Sequence, residues 1–259
     1  MRIALVTQED PFYLPPALDA LCAARGREIV GIIILPAFNE RLTATARRLW
    51  EFYGPVDFTR LAFRYLGAKI ADRMNRVRPV TRAYSAADVA RRHGVPVYQP
   101  AKINAPEFVV LLREQVRPDL LVSIAASQVL RQRVLDVPRF GCINLHSAPL
   151  PRYQGMMPNF WTMLHGEPEA TVTVHYMVEK LDAGDIILQW PVPILPSDSL
   201  HDLMVRSKEV GVQAVLEAIE QIEHGRVHRR PMDPNQATYF SFPKREDAKR
   251  LRRMGRALL

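Results

Sequence analysis

Between Gly141 and Gly155 the chain reads Gly-Cys-Ile-Asn-Leu-His-Ser-Ala-Pro-Leu-Pro-Arg-Tyr-Gln-Gly. Gly141 to Leu145 is an apolar run of buried-strand type, and the period of two along a strand puts Cys142, Asn144 and His146 on one face. An amide that can donate to a developing oxyanion and an imidazole that can exchange protons thus leave the carboxyl end of a strand together, where open α/β sheets hold their ligands. Thirty-six residues after His146 comes Asp182, in the turn Leu181-Asp-Ala-Gly184. A carboxylate there reaches the imidazole, holds it in one tautomer and raises its pKa. This is equipment for acyl transfer without an evident serine nucleophile. Cys142 shares the face but lies about 13 Å along the strand from His146, so it reads as a buried core cysteine rather than a thiol nucleophile. His175 reads as structural or pocket-lining, and the remaining histidines as solvated or capping.

The elements that must carry these residues follow from periodicity. Arg2 to Thr7 and Glu28 to Leu35 are short β-branched runs around a helical stretch, Pro15 to Ala24, which gives a β-α-β opening. From Asn39 to Asn75 apolar residues recur at helical spacing, broken at Gly54-Pro55, which predicts two basic amphipathic helices. Ser85 is a plausible N-cap for a helix reaching His93 and stopped by Gly94. Further helices are expected over Ala105 to Glu114 and around Gln128 to Leu135, with a buried strand at Leu120 to Ile124 between them. Ala170 to Met177 and Ile186 to Val192 read as an antiparallel edge, and Ser199 with Asp202 opens a long closing helix that Gly225 ends. The fold class is α/β, a mostly parallel twisted sheet flanked by helices. Residues 1–225 form the catalytic domain, with a basic helical insertion at about 39–83, and 226–259 form a basic extension expected to pack its aromatics on the body and leave its arginines wet.

Composition excludes several classes. The 259 residues are 48% hydrophobic and 24% charged, so the chain is globular rather than disordered. The 2 cysteines cannot build a disulfide framework or a four-cysteine zinc site. The N-terminus turns acidic before a signal-peptide core could form, and no apolar stretch is long enough to span a bilayer, so a cytoplasmic protein is expected. No glycines are spaced Gly-x-Gly and no Gly-Lys-Ser/Thr occurs, which removes the dinucleotide fingerprint and the phosphate loop. The net charge of +8 is uneven: 41–82 holds ten basic residues against three acids, as does 226–259, so each is net +7 on a body of net −6. An anionic ligand meets these two modules first.

The order and spacing of Asn144-x-His146, Leu150-Pro-Arg-Tyr-Gln-Gly155, Pro158, Trp161, Gly166-Glu167, Thr173-x-His175 and Leu181-Asp-x-Gly184 resemble the formyltransferase family that uses 10-formyltetrahydrofolate. Upstream, Pro96 to Pro100, Arg117-Pro-Asp119 and Val137 to Asn144 extend the likeness. The resemblance implies a Rossmann-like formyltransferase fold and a catalytic trio at Asn144, His146 and Asp182. It implies a pterin slot between Ile124-Ala125-Ala126-Ser127 and the loop of Val178, Leu181 and Asp185, and a folate cosubstrate with no metal. The acceptor it implies is a primary amine of a small molecule, with nucleic acid not expected and a homodimer open. The sequence departs from the family at Ala126 and Ser127, where the tRNA-modifying members have tyrosine and glycine, and at Gln154, where many have arginine. Those members also carry a C-terminal β-barrel, whereas 34 residues follow Gly225 here, so the expected acceptor is an amino sugar on a nucleoside diphosphate. The alternatives are an amino-acid-type amine such as hydroxyornithine, methionyl-tRNA, or an RNA- or membrane-binding module with an inactive core.

Overall fold

The computed structural model describes residues 1–36, 42–78 and 82–259. A seven-stranded sheet runs through it in the order β3-β2-β1-β4-β5-β7-β8. Its parallel part comprises β1 (Ile3–Gln8), β2 (Ile29–Leu35), β3 (Val97–Tyr98), β4 (Leu120–Ile124) and β5 (Cys142–His146). The antiparallel edge expected from the alternating runs is there, with β7 (Glu169–Tyr176) on β5 and β8 (Ile186–Pro193) on β7. A two-residue β6 (Gln154–Gly155) lies outside this sheet.

Helices cover both faces, as a buried parallel sheet requires. On one face α1 (Leu14–Arg25), α3 (Ala86–His93), α6 (Pro158–Leu164) and α7 (Leu200–Glu223) enclose Ile3, Leu5, Ile143, Leu145 and their neighbours. On the other, α4 (Pro106–Leu111) and the one-turn α5 (Gln132–Leu135) enclose Ala4, Val6, Leu121 and Cys142. Each fully buried Ile or Leu contributes about 1.5–3 kcal/mol relative to exposure. Helix α7 approaches the sheet closely at Gly211, where a Cβ would run into the Leu145 side chain.

Capping signals were well placed. Ser85 accepts from the Asp88 amide and Gly94 closes α3 in the left-handed region at φ 64°. Ser199 and Asp202 form a reciprocal capping box at the start of α7. One helix is shorter than its periodicity implied: α5 starts only at Gln132 because Ser127 to Arg131 is spent on loop hydrogen bonds, whereas α4 continues as a π turn over Leu112–Val116 and covers the expected length. Residues 39–41 and 79–81 of the expected insertion at about 39–83 lie outside the described residues. Between them α2 (Leu42–Val77) is two helices joined across a kink at Gly54, whose φ 72° and ψ 174° are not helical, just before Pro55, as the expected break at Gly54-Pro55 implied.

The C-terminal segment is woven into the body. Its strand β9 (Tyr239–Phe240) pairs in parallel with β6, and its helix α8 (Arg245–Arg253) buries Ala248 and Leu251 in the same core as α7. Leu258 is buried there too, and the Leu200 and His201 amides donate to the Ala257 and Leu258 carbonyls. The aromatics pack as expected, Phe240 stacking on Trp161 at 4.7 Å. The arginines are not all wet: Arg252 donates to the Tyr53 carbonyl and to Asp57, because a helix packed on two others has little free perimeter.

Candidate active site

Strand β5 places Asn144 and His146 on the face lined by Cys142, as alternation requires. The neighbouring strand β7 sets His175 directly opposite Asn144. The turn after β7 brings Asp182 back over them with a left-handed backbone at φ 49°. Gly184 makes that return possible, since a Cβ there would collide with the Tyr176 carbonyl oxygen. Asn144, His146 and Asp182 therefore converge, and His175 completes the cluster.

The hydrogen bonds fix the protonation pattern. His146 Nε2 lies 2.8 Å from the Tyr153 carbonyl oxygen, which can only accept, so Nε2 carries the proton. Its Nδ1 faces Asp182 Oδ2 at 3.8 Å. The tautomer is thus held by a backbone carbonyl rather than by Asp182, as the sequence had implied; the carboxylate stands too far for a hydrogen bond because its Oδ2 already accepts from the Gly155 amide at 2.9 Å. His175 donates from Nδ1 to the Tyr176 carbonyl at 2.8 Å, which leaves Nε2 as an acceptor. That acceptor takes a proton of Asn144 Nδ2 at 3.2 Å and lies 3.8 Å from Asp182 Oδ1. The amide of Asn144 is oriented by this contact, with one Nδ2 hydrogen spent and one left over.

His175 is 2% exposed, and burial lowers its pKa to about 4, against a smaller opposing pull from Asp182. It is neutral at physiological pH. Burial pushes the Cys142 thiol up to about 12, and its Sγ faces the Leu135 carbonyl at 3.9 Å. Cys142 is a core residue, as its place on the strand implied.

Three positioning contacts were not legible in the sequence. Gln154, one of the departures from the family pattern, donates through Nε2 to the Asp182 carbonyl at 2.9 Å. Thr238 accepts the Tyr153 amide on Oγ1 at 2.9 Å and, through its carbonyl, the Gln154 amide at 2.8 Å, so the C-terminal strand holds the loop that holds His146. At the carboxyl end of β1, alternation turns Gln8 to the same sheet face as Asn144, and its Oε1 is buried with no partner among the described residues.

The residues expected to line a pterin slot fall at two places. Ile124 is buried at the end of β4, Ala125 takes a left-handed backbone at φ 55°, Ala126 packs on the Cys142 side of the core, and Ser127 donates to the Pro36 carbonyl at 2.7 Å. Across from them Val178 and Leu181 are exposed, and the Asp185 carbonyl accepts the Tyr176 amide. Among the described residues no three His, Cys, Asp or Glu side chains converge as a metal site. A cavity of about 680 Å³ lies on the other face of the sheet, between α1, α2 and α7, and does not include the trio.

Comparison with known proteins gives the family. Methionyl-tRNA formyltransferase of Syntrophus aciditrophicus is 40% identical over 158 residues, which are 61% of this chain and 50% of the relative. The enzyme of the same name from a Geobacillus species is 40% identical over 163 residues, 62% of this chain and 50% of the relative. The chain thus spans about half the length of the curated relatives it matches. Among solved structures, glycinamide ribonucleotide transformylase 1 from Symbiobacterium toebii superimposes with a TM-score of 0.61 at 22% identity, covering 90% of this chain and 94% of that one. A sugar N-formyltransferase from a Shewanella species gives 0.58 at 14% identity, covering 97% and 88%. These likenesses establish the fold. The sequence model of the family described as formyl transferase matches residues 67–219, more than half of the chain and all of the cluster around Asn144, and the chain belongs to that family.

Proposed function

We propose that the protein transfers the formyl group of 10-formyltetrahydrofolate to a primary amine, with Asn144, His146 and Asp182 as its catalytic residues. The observation that carries this reading is a pair of acceptors, His146 Nδ1 and Asp182 Oδ2, that face each other across a space of 3.8 Å. Such a space takes up protons, and deprotonating an attacking amine is the task.

The folate supplies an activated formyl carbon. Around it, the free Nδ2 hydrogen of Asn144 is held ready for the charge that gathers on the formyl oxygen, since His175 fixes the amide. Asp182 takes the proton of the incoming amine, directly or through water, and passes it by way of His146 Nδ1 toward the departing nitrogen. His146 keeps its other proton on the Tyr153 carbonyl throughout, so only Nδ1 cycles. The buried, unpartnered Gln8 Oε1 and the exposed apolar Val178 and Leu181 suit a flat heterocycle bearing N–H donors.

The acceptor read here is an amino sugar on a nucleoside diphosphate. Exposed Arg229 lies over the Tyr176 ring at 4.2 Å, and Arg230 bridges Ile186 and bonds Gln189, which sets two cations beside the turn that carries Asp182. They match a diphosphate. In this division 1–225 is the catalytic body and 226–259 an extension that supplies both the cations and Thr238. Methionyl-tRNA is the second reading, favoured by the 40% identity to its formyltransferases over the catalytic segment. Mass spectrometry of an acceptor panel incubated with 10-formyltetrahydrofolate separates them: the gain of one carbonyl unit on a nucleotide-linked amino sugar, absent with His146→Ala, supports the reading. Formylation of methionyl-tRNA alone would replace the acceptor, and no formylation of any amine would sink the activity.

A further inference from the structure

The half of α2 after its bend exposes an apolar face. Val56, Phe63, Leu66, Ile70, Met74 and Val77 share one face at 100° per residue, and all six are exposed, Phe63 at 70% and Val77 at 90%. The side turned to the protein is mixed: Phe58 and Leu61 pack on the core and Ala68 is buried, as are Asp72, which accepts from Ser85 Oγ, and Asn75, which donates to Asp88 at 3.0 Å. A solvent-facing helix keeps its outer side polar, whereas this one carries a second apolar face there. The result is an apolar stripe about 30 Å long.

Both borders of the stripe are basic. Arg60 and Arg64 run along one side, and Lys69, Arg73 and Arg76 along the other, all exposed. The second basic segment is its neighbour in space, because α8 packs on α2 through Arg252, bonded to Tyr53 and Asp57. The exposed Arg245, Arg250 and Arg253 of α8 therefore add to the basic surface around α2.

Charge chooses the occupant. A second copy of the helix would set basic border against basic border, with no free acid to compensate, since Asp57 is held by Arg60 and Arg252 and Asp72 by Arg76 and Ser85. RNA would satisfy the arginines and leave the six apolar side chains wet. An anionic bilayer surface takes both, the stripe in the acyl boundary and the arginines on headgroup phosphates. We propose that α2, with α8 beside it, docks the chain on an anionic lipid surface. Docking of this kind is peripheral, and no helix among the described residues is long and apolar enough to cross a membrane.

Flotation of the full chain with vesicles of phosphatidylcholine alone, or with about one third phosphatidylglycerol, tests this. Binding is expected only to the anionic vesicles, weakened at least about tenfold by the double substitution Phe63→Ser/Ile70→Ser and several-fold by NaCl near 0.5 M. These positions are exposed, so the variant keeps the wild-type melting curve. As a second readout, Phe63→Trp fluorescence shifts to the blue on the anionic vesicles. Absence of vesicle binding overturns the proposal, as does charge-driven binding that the double substitution leaves unchanged. A dimer by sedimentation that the double substitution splits, without vesicle binding, would assign the stripe to a second copy.

Discussion

His175 Nε2 accepts a hydrogen bond from Asn144 Nδ2 across β7 and β5, at 3.2 Å, and is kept available for it by the bond of its own Nδ1–H to the Tyr176 carbonyl. A neutral buried imidazole thus acts as the rest on which the amide lies. Asn144 alone could rotate and present its carbonyl to the formyl oxygen, which would repel the developing charge; with His175 in place only the N–H end fits.

Replacing His175 by Phe therefore lowers kcat by about 10- to 100-fold with little change in KM, because orientation of a transition-state donor is lost while ground-state binding is kept. His175→Gln, whose side-chain oxygen can accept in the same place, recovers part of the rate. Steady-state kinetics of the two variants check this. Equal losses in both would mean that His175 only fills space.

The same residue gives a pH signature in stability. Its folded pKa, about 4, lies below the ordinary 6.5, so between those values the unfolded chain binds a proton that the folded chain refuses. Stability is fully present above pH 6.5 and is lost as the pH falls toward 4, at no more than about 1.4 kcal/mol per unit. Denaturant melts of wild type and His175→Gln across this window isolate the effect, since other acids titrate in both. The wild type should converge on the variant as the pH drops.

Thr238→Val leaves the Tyr153 amide without its acceptor, in a loop whose carbonyl holds His146. A cost of about 1–3 kcal/mol in stability is expected, with a fall in kcat that exceeds any change in donor affinity. Thermal melts and kinetics on one preparation check it. Unchanged kcat would show that His146 does not need the C-terminal strand.

Cys142→Ala retains formyl transfer within about twofold and loses roughly 1 kcal/mol of stability, as a small core truncation does. The thiol is 2% exposed and pushed up to about 12, so it is no nucleophile. Activity assays after alkylating treatment give the same answer, since the group is inaccessible.

Much of this was legible in the sequence for identifiable reasons. Ser85 with Gly94, and Ser199 with Asp202, are local signals whose physics is complete within a few residues, and both helices start and stop where these residues stand. Asn144 and His146 were found because a strand's period of two is rigid. What escaped was whatever depends on long-range return of the chain. Thr238 lies 85 residues from Tyr153, and nothing local marks it as the clamp on the His146 loop. His175 read as structural or pocket-lining, but its partner was hidden until β7 paired beside β5 and set it against Asn144. The second half of α2 was expected to be an amphipathic helix, but periodicity carries no information on which of its apolar residues meet the protein: Phe58 and Leu61 pack on the core, whereas Phe63 and Leu66 are exposed.

The central claim is that Asp182 takes the proton of the attacking amine while Asn144 meets the formyl oxygen. Single-turnover transfer from a donor labelled with carbon-13 at the formyl group, followed for wild type and Asp182→Asn, tests it most directly. The variant is expected to bind the donor normally and to transfer the label at least about a thousandfold more slowly, the amide being unable to accept the proton. Transfer within about tenfold of wild type would remove Asp182 from the proton path and with it the mechanism argued here.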